Sequence, residues 1–405
     1  MTATAVREIT YGLDATPLLG RRTGIGRYVA EVADGVLAGL AQDERLLLYA
    51  GTFRLNPLMG VSHEPLYRLA RDPRVRYRRH WFPVSAAHAV WNRVDAPPLE
   101  ALTGPLDVFH GTNFRLPPLG QGRGVVTIHD LAFLADPGFV PPLVGTRLAR
   151  AVRAAARRAE RVIVGSRHTA EDAVRFLGCA PGRVAVIPFA ASPAFRPSAD
   201  RDADRRAVAE RHGVTAPYVL HVGTTNPRKN LVRLVRAFAD TRRHADLPHV
   251  LVLAGEAGFA HAEVRAEIAR LGVSGAVVLT DYAREEDMPS LYRASDLLAF
   301  PSLYEGFGIP VVEAMACGCP VLTSDVSALP EVAGDAALLV DPRSEDAIAA
   351  GILRLIEDRP LRERLVAAGF SRAAEFSWAR GAAAHLALYR ELAAPRVSAA
   401  DRGVR

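Results

Sequence analysis

Short continuous apolar blocks alternate along this chain with longer stretches in which apolar positions recur every three or four residues. The first pattern predicts strands buried on both faces, and the second predicts the helices that cover them. In the first half the blocks fall at residues 9–14, 46–50, 108–110, 125–128, 162–164 and 184–187, with a helix expected over 25–40 and an Ala/Arg-rich helix before residue 162. A proline-bearing, charged stretch from 188 to 204 reads as a linker, after which the pattern restarts at 218–222, 250–254, 277–279, 297–300 and 321–323. Strands alternating with helices predict parallel sheets. The chain therefore reads as α/β, with Rossmann-like domains over 1–190 and 205–377 joined by 191–204. A helix over 363–375 and a last one over 378–393 close the chain, and 394–405 is expected to be a disordered tail. Ligands of open parallel sheets gather beyond the carboxyl ends of the strands, so the expected site is the cleft between the two domains.

Composition narrows the class. The 405 residues allow two cores, and 49% hydrophobic with 23% charged residues is ordinary for a soluble globular protein. No apolar run reaches the roughly 18 residues of a membrane span, and the opening residues lack the apolar core of a secretion signal, so a cytoplasmic protein is expected. Three cysteines, Cys179, Cys317 and Cys319, have no partners for a zinc site and read as packing residues. Charge is uneven: residues 1–190 carry 24 arginines against 16 acidic residues, and the remainder carries 26 basic against 28 acidic. The sharpest basic piece is 74–82, where arginine alternates with apolar residues ahead of Trp81 and Phe82. A strand with a solvated face is the first reading of that stretch, and peripheral contact with an anionic membrane surface is the second. Nucleic acid is not expected as a partner.

Candidate chemistry clusters where strands end. The only lysine of the chain, Lys229, follows Arg228 in a loop that opens with Gly223 and Thr224 after the strand 218–222. A guanidinium fork beside an ammonium, with Asn230 expected to cap the next helix, suits a diphosphate that gains charge as it departs. After the strand 297–300, Glu305 and Glu313 stand eight positions apart across a glycine-rich turn, with Pro310 expected in the first turn of a helix that Gly318 ends. Gly306 and Gly308 allow close approach of backbone to a ligand, and free amides at the helix start favour an anion or a sugar hydroxyl. His129 ends the strand 125–128 and His110 ends 108–110, so both are expected to face the cleft. The loop holding Gly24 and Gly26 can present amides to a phosphate or position an acceptor, but it lacks the third glycine of a dinucleotide fingerprint. The pair Asp202 and Asp204 lies among arginines instead of ending a strand, and no metal is expected.

The segment 303–318 closely resembles the signature of the retaining glycosyltransferases of the GT-B fold, specifically glycosyltransferase family 4. Further motifs at the opening loop, His129-Asp130, Gly165-Ser166, Arg228-Lys229 and 331–335 extend the resemblance over nearly the whole chain. It implies a donor site of Gly24, Gly223, Thr224, Arg228, Lys229, Glu285, Glu305, Gly306, Phe307, Gly308, Ile309 and Glu313. Within it, Glu305 would meet the donor sugar, Glu313 the ribose hydroxyls, and the loop amides the diphosphate. His129, Arg228, Lys229 and Glu305 would be catalytic, with Gly26, His110, Asn113 and Asp130 on the acceptor side. No cofactor is implied beyond a nucleotide-sugar substrate, GDP-mannose first and a UDP-hexose next, passing its sugar to a hydroxyl acceptor in polysaccharide assembly. A sugar-nucleotide epimerase of the same fold, or a basic membrane- or nucleic-acid-binding protein without catalysis, remains open as an alternative.

Overall fold

The computed structural model describes residues 7–19, 24–51, 64–80, 87, 90–91, 93–280 and 283–394. They form two fully parallel sheets. The first runs in the order β3-β2-β1-β4-β5-β6-β7, built from β1 Ile9–Asp14, β2 Glu44–Gly51, β3 Val75–His80, β4 Val108–Gly111, β5 Arg123–Ile128, β6 Arg161–Val164 and β7 Val184–Val186. The second runs β10-β9-β8-β11-β12-β13, from β8 Tyr218–Val222, β9 Val250–Ala254, β10 Val277–Leu279, β11 Leu297–Phe300, β12 Val321–Ser324 and β13 Leu338–Val340. In each sheet the strand order reverses once, at β1/β4 and at β8/β11, and the loops leaving those strands open a crevice at their carboxyl ends. This is the expected pair of Rossmann-like domains. The one strand not expected is β13, whose three residues are too short a block to separate from helix by periodicity.

Two boundaries differ from the sequence reading. The charged stretch taken as linker turns helical at Arg201, because Asp200 accepts a hydrogen bond from the Ala203 amide and the acidic first turn suits the helix Arg201–His212. Asp204 is thereby buried on that helix, accepting from Arg293 and Ser290, whereas Asp202 faces water. The penultimate helix begins at Arg359, ahead of the expected 363. At the sheet edge, β3 carries a solvated basic face with Arg76 paired to Glu8 at 2.9 Å. Trp81, Phe82 and residues 395–405 lie outside the described residues.

The last helix, Trp378–Ala393, crosses back to the first domain. It packs on the helix Gly24–Gly39, where Gly35 leaves room for Ala382; an added Cβ would stand 2.3 Å from it. Arg390 reaches Glu44 at 2.7 Å, and His385 Nε2 meets the Tyr28 hydroxyl at 2.9 Å. This crossing removes His110 from the cleft. His110 is fully buried between the Tyr389 hydroxyl at 2.6 Å and Thr127 Oγ1 at 2.7 Å, and burial drives its pKa well down. Its expected acceptor-side place is thus a structural one, since the strand end it occupies is covered by the returning helix.

Candidate active site

The two motif loops leave adjacent strands. From β8 the chain enters Gly223 at φ +148°, where an added Cβ would stand 3.1 Å from the Lys229 side chain, and then a 3-10 turn over Pro227–Lys229. Asn230 follows in the left-handed region at φ +62°. That geometry aims its side chain inward, donating to the carbonyls of Pro301 and Pro342, so it ties loops together instead of capping the next helix. From β11 the chain passes Glu305 and Gly306 to Gly308 at φ +99°, which opens the helix Ile309–Ala316 with Pro310 in its first turn.

Where the loops meet, one carboxylate serves two cations. Glu305 accepts from Arg228 Nη1 at 2.7 Å and Lys229 Nζ at 2.6 Å, and its amide donates to Ser327 Oγ at 3.0 Å. Lys229 also sits over the Phe300 ring, 4.5 Å from its centroid. Burial opposes Glu305's charge, but Arg228 and Lys229 hold its pKa down at about 2. Burial likewise pushes the Lys229 ammonium down to about 8, opposed by Glu305 and reinforced by Arg228 beside it. Asp130 of the first domain stands 4.0 Å from Arg228, on the clamp side of the cleft. Two cations against one contacting carboxylate leave a surplus positive charge facing the cleft, which an anion can compensate.

The same segment seals the domains together. The Gly306 carbonyl accepts from Ser166 Oγ at 2.7 Å and Thr169 Oγ1 at 2.9 Å, and an added Cβ at Gly306 would lie 1.8 Å from the His129 carbonyl oxygen. Glu331 accepts from the amides of Arg167 and His168, placing a negative charge at the start of the helix Arg167–Leu177. Tyr304 donates to Asp172 across the same seam. Phe307 is buried edge-on against Phe189 at 5.3 Å and Phe376 at 5.4 Å, so its ring packs between the lobes. Glu313 is 1% exposed, with Oε1 on Arg27 at 2.5 Å and Oε2 on the Tyr292 hydroxyl at 2.8 Å. Beside this seam a cavity of about 150 Å³ is lined by Gly24, Arg27, Gly223, Thr224, Gly255 and Glu285. A larger hollow, about 560 Å³ beside Arg201, Asp296 and Pro320, opens at the amino ends of the second-domain strands, away from these groups.

Known proteins share both halves of this arrangement. Residues 22–195 match the family described as "Glycosyltransferase Family 4", and 202–372 match "Glycosyl transferases group 1". The O-antigen chain mannosyltransferase B of Escherichia coli is 31% identical over 360 residues, covering 88% of this chain and 93% of that protein. The chain belongs to this glycosyltransferase family. The D-inositol 3-phosphate glycosyltransferase of Rhodococcus erythropolis is 36% identical over 244 residues, 58% of this chain and 54% of that protein. Among solved structures, sucrose-phosphate synthase from Thermosynechococcus elongatus superposes with a TM-score of 0.75 at 22% identity over 95% of this chain and 99% of that one. The HepE protein of Anabaena, solved with UDP and glucose, gives 0.69 at 20% identity over 95% and 100%. These neighbours establish the GT-B fold.

In this glycosyltransferase the expected donor residues Gly24, Gly223, Thr224 and Glu285 come together at the small cavity, and Arg228, Lys229 and Glu305 in the neighbouring clamp. Ile309, half-buried, starts the helix beside them, and Gly26 is buried in the first turn of the helix Gly24–Gly39. Asn113 has its Oδ1 buried without a hydrogen-bond partner among the described residues. His129 donates from Nε2 to the Thr112 carbonyl at 2.9 Å, since that oxygen is an acceptor only; its ring lies against Tyr28, Phe114 and Phe189. Burial lowers its pKa to about 4, so the imidazole is neutral, with Nδ1 left as an acceptor. Sequence reasoning passed over Arg27 and Gly255 as site residues. Gly255 follows β9 directly, and the strand-end rule that picked out Gly223 would have found it.

Proposed function

We propose that the protein transfers mannose from GDP-mannose, with retained anomeric configuration, to a hydroxyl of a growing glycan, glycolipid or small acceptor. The observation that carries this reading is the shared carboxylate: Arg228 and Lys229 both lean on Glu305 and leave positive charge for a leaving diphosphate. The mannosyltransferase similar over nearly its full length supports mannose as the sugar and polysaccharide assembly as the setting. The bond from the anomeric carbon to the diphosphate oxygen breaks, and a bond to the acceptor oxygen forms on the same face. The acceptor proton passes to the departing phosphate oxygen, while Arg228, Lys229 and the amides from Gly306 to Ile309 hold its charge. Glu305 positions both cations, Glu313 takes the ribose hydroxyls, and neutral His129 stands at the lobe seam as an acceptor for a sugar hydroxyl. The cations supply the charge neutralisation that a metal ion provides in other transferases.

A thermal-shift panel of GDP-, UDP- and ADP-sugars tests the donor, with the largest shift expected for GDP-mannose. UDP-glucose is the second donor, suggested by the HepE complexes. No shift with any sugar nucleotide refutes the reading, and conversion of donor alone to an isomeric sugar nucleotide would mark an epimerase.

We further propose that the first domain touches an anionic membrane surface through the helix Pro142–Arg158, in place of the segment 74–82. Arg147, Arg150, Arg153 and Arg157 share its exposed face and have no ion-pair partner among the described residues. The helix has no acidic residue, and Leu143, 63% exposed, lies on the same face. Arginines flanked by an apolar side chain suit lipid phosphates. No helix among the described residues is long and apolar enough to cross a membrane. Sedimentation with phosphatidylglycerol vesicles, lost when the four arginines become glutamine, tests the contact; equal sedimentation with neutral phosphatidylcholine vesicles refutes it.

A further inference from the structure

Among the described residues, Arg27 is the basic side chain that the first domain extends to Glu313 across the cleft. It is the fourth residue of the helix Gly24–Gly39, holds its guanidinium 5.8 Å from the Phe195 ring centroid, and ends on Glu313 Oε1 at 2.5 Å. Tyr292 holds the other carboxylate oxygen from within the second domain, and its ring packs edge-on against Phe195. Each carboxylate oxygen can accept two hydrogen bonds, so one donor on each leaves a lone pair free on both. Arg27 also lines the cavity that holds Gly24, Gly223, Thr224 and Glu285, so the buried carboxylate it holds lies one side chain behind the space a nucleotide would enter. Tyr292 alone would let the carboxylate swing about a single hydrogen bond. Two donors from different domains fix its plane, and only when the lobes are together.

We propose that Arg27 is a positioning residue for ribose recognition: it orients Glu313 toward the ribose hydroxyls and makes that orientation conditional on closure of the two lobes. This rests on the nucleotide-sugar reading above. The consequence is a selectivity that belongs to the first lobe although the ribose contact belongs to the second. A carboxylate held in plane accepts a ribose hydroxyl with good geometry, and a ligand lacking that hydroxyl leaves it unmatched. Release of Arg27 blurs this distinction without touching the diphosphate clamp at Glu305.

The test is calorimetric titration of the full chain with whichever of GDP, UDP and ADP binds the wild type most tightly, and with its 2′-deoxy and 3′-deoxy counterparts. Wild type is expected to prefer the ribonucleotide over at least one deoxy form by about tenfold or more, the worth of one hydrogen bond to a charged group. In Arg27→Met that preference should shrink toward unity, while Arg27→Lys, which keeps the charge but not the fork, retains part of it. A merely structural loss of closure would weaken all three ligands by the same factor. The proposal is overturned if Arg27→Met keeps the full wild-type preference, or if wild type binds the nucleotide but does not discriminate. Absence of nucleoside-diphosphate binding by wild type would instead overturn the glycosyl-transfer reading itself, and this proposal with it.

Discussion

Replacing Glu305 by glutamine keeps the shape of the side chain and deletes the charge that two buried cations share. Arg228 and Lys229 then face each other with only Asp130, 4.0 Å from Arg228, as compensation. Removing one partner of a buried ion pair costs about 3–5 kcal/mol. With an unfolding entropy of roughly 2.1 cal/mol/K per residue, the melting temperature should fall by about 4–6 °C if both lobes unfold together, and by about 8–14 °C if the second lobe unfolds alone. The deficit should also depend on pH. Loss of the carboxylate lowers the Lys229 pKa further from its value of about 8, so the folded variant sheds a proton that the unfolded chain keeps. The unfolded state then binds more protons, and the variant gains stability as pH rises through the interval from its new pKa to about 10.4, starting below the wild-type onset. Its melting temperature should therefore approach that of wild type as pH rises toward about 8, the range in which only the variant has shed the proton. Added GDP should stabilise the variant more than wild type, because the diphosphate supplies the missing negative charge. Differential scanning fluorimetry across pH, with and without GDP, reads all three effects. A variant melting within about 1 °C of wild type at neutral pH, or a deficit that does not narrow as pH rises, would refute the shared-carboxylate account.

Gly306→Ala places a Cβ 1.8 Å from the His129 carbonyl oxygen, so the lobes must separate; turnover should drop about a hundredfold with folding intact, and small-angle scattering should show a larger radius of gyration. Donor kcat/KM should hold steady up to about pH 8 and fall above it as Lys229 loses its proton, and bound diphosphate should carry the corresponding limb of kcat to higher pH. Lys229→Arg should abolish that limb, and an unchanged profile would sink the assignment. His110→Phe leaves the Tyr389 hydroxyl without its 2.6 Å partner and should lower stability by about 1–3 kcal/mol while kcat and the acceptor KM stay near wild type; a large rise in acceptor KM would restore the acceptor role to His110.

Five of the six strands of the second sheet were legible, because strands such as Val250–Ala254 and Leu297–Phe300 are covered on both faces and therefore read as unbroken apolar blocks, whereas the short edge strand Leu338–Val340 was not. The clamp was legible for a related reason: charged residues beside glycines immediately after such a block have nowhere to go but the carboxyl end of the sheet. What could not be read is what depends on the two domains meeting. Arg27 and Glu313 are 286 positions apart, and His110 and Tyr389 are 279 apart, and no local pattern encodes the orientation that brings either pair together. The helix starting at Arg201 escaped for another reason. Only Asp204 and Val208 of it are buried, so it shows a run of charge without an apolar stripe.

Gly306 carries a packing role between the lobes in addition to the ligand approach expected of it. Its lack of a side chain was expected to let backbone approach a ligand, yet the atom that excludes a Cβ there is the His129 carbonyl oxygen of the other lobe. The carbonyl of Gly306 is held by Ser166 and Thr169 of the first domain, and the residue before it is Glu305, whose carboxylate organises both cations of the second. Two adjacent residues therefore link the lobe seam to the cluster of Arg228, Lys229 and Glu305. Only the backbone rotations of Gly306 separate its seam-held carbonyl from the Glu305 backbone, so a lobe movement that pulls on Gly306 is felt at Glu305 except where those rotations absorb it. On the glycosyl-transfer reading proposed above, closure of the lobes and neutralisation of the leaving diphosphate would be coupled through this position.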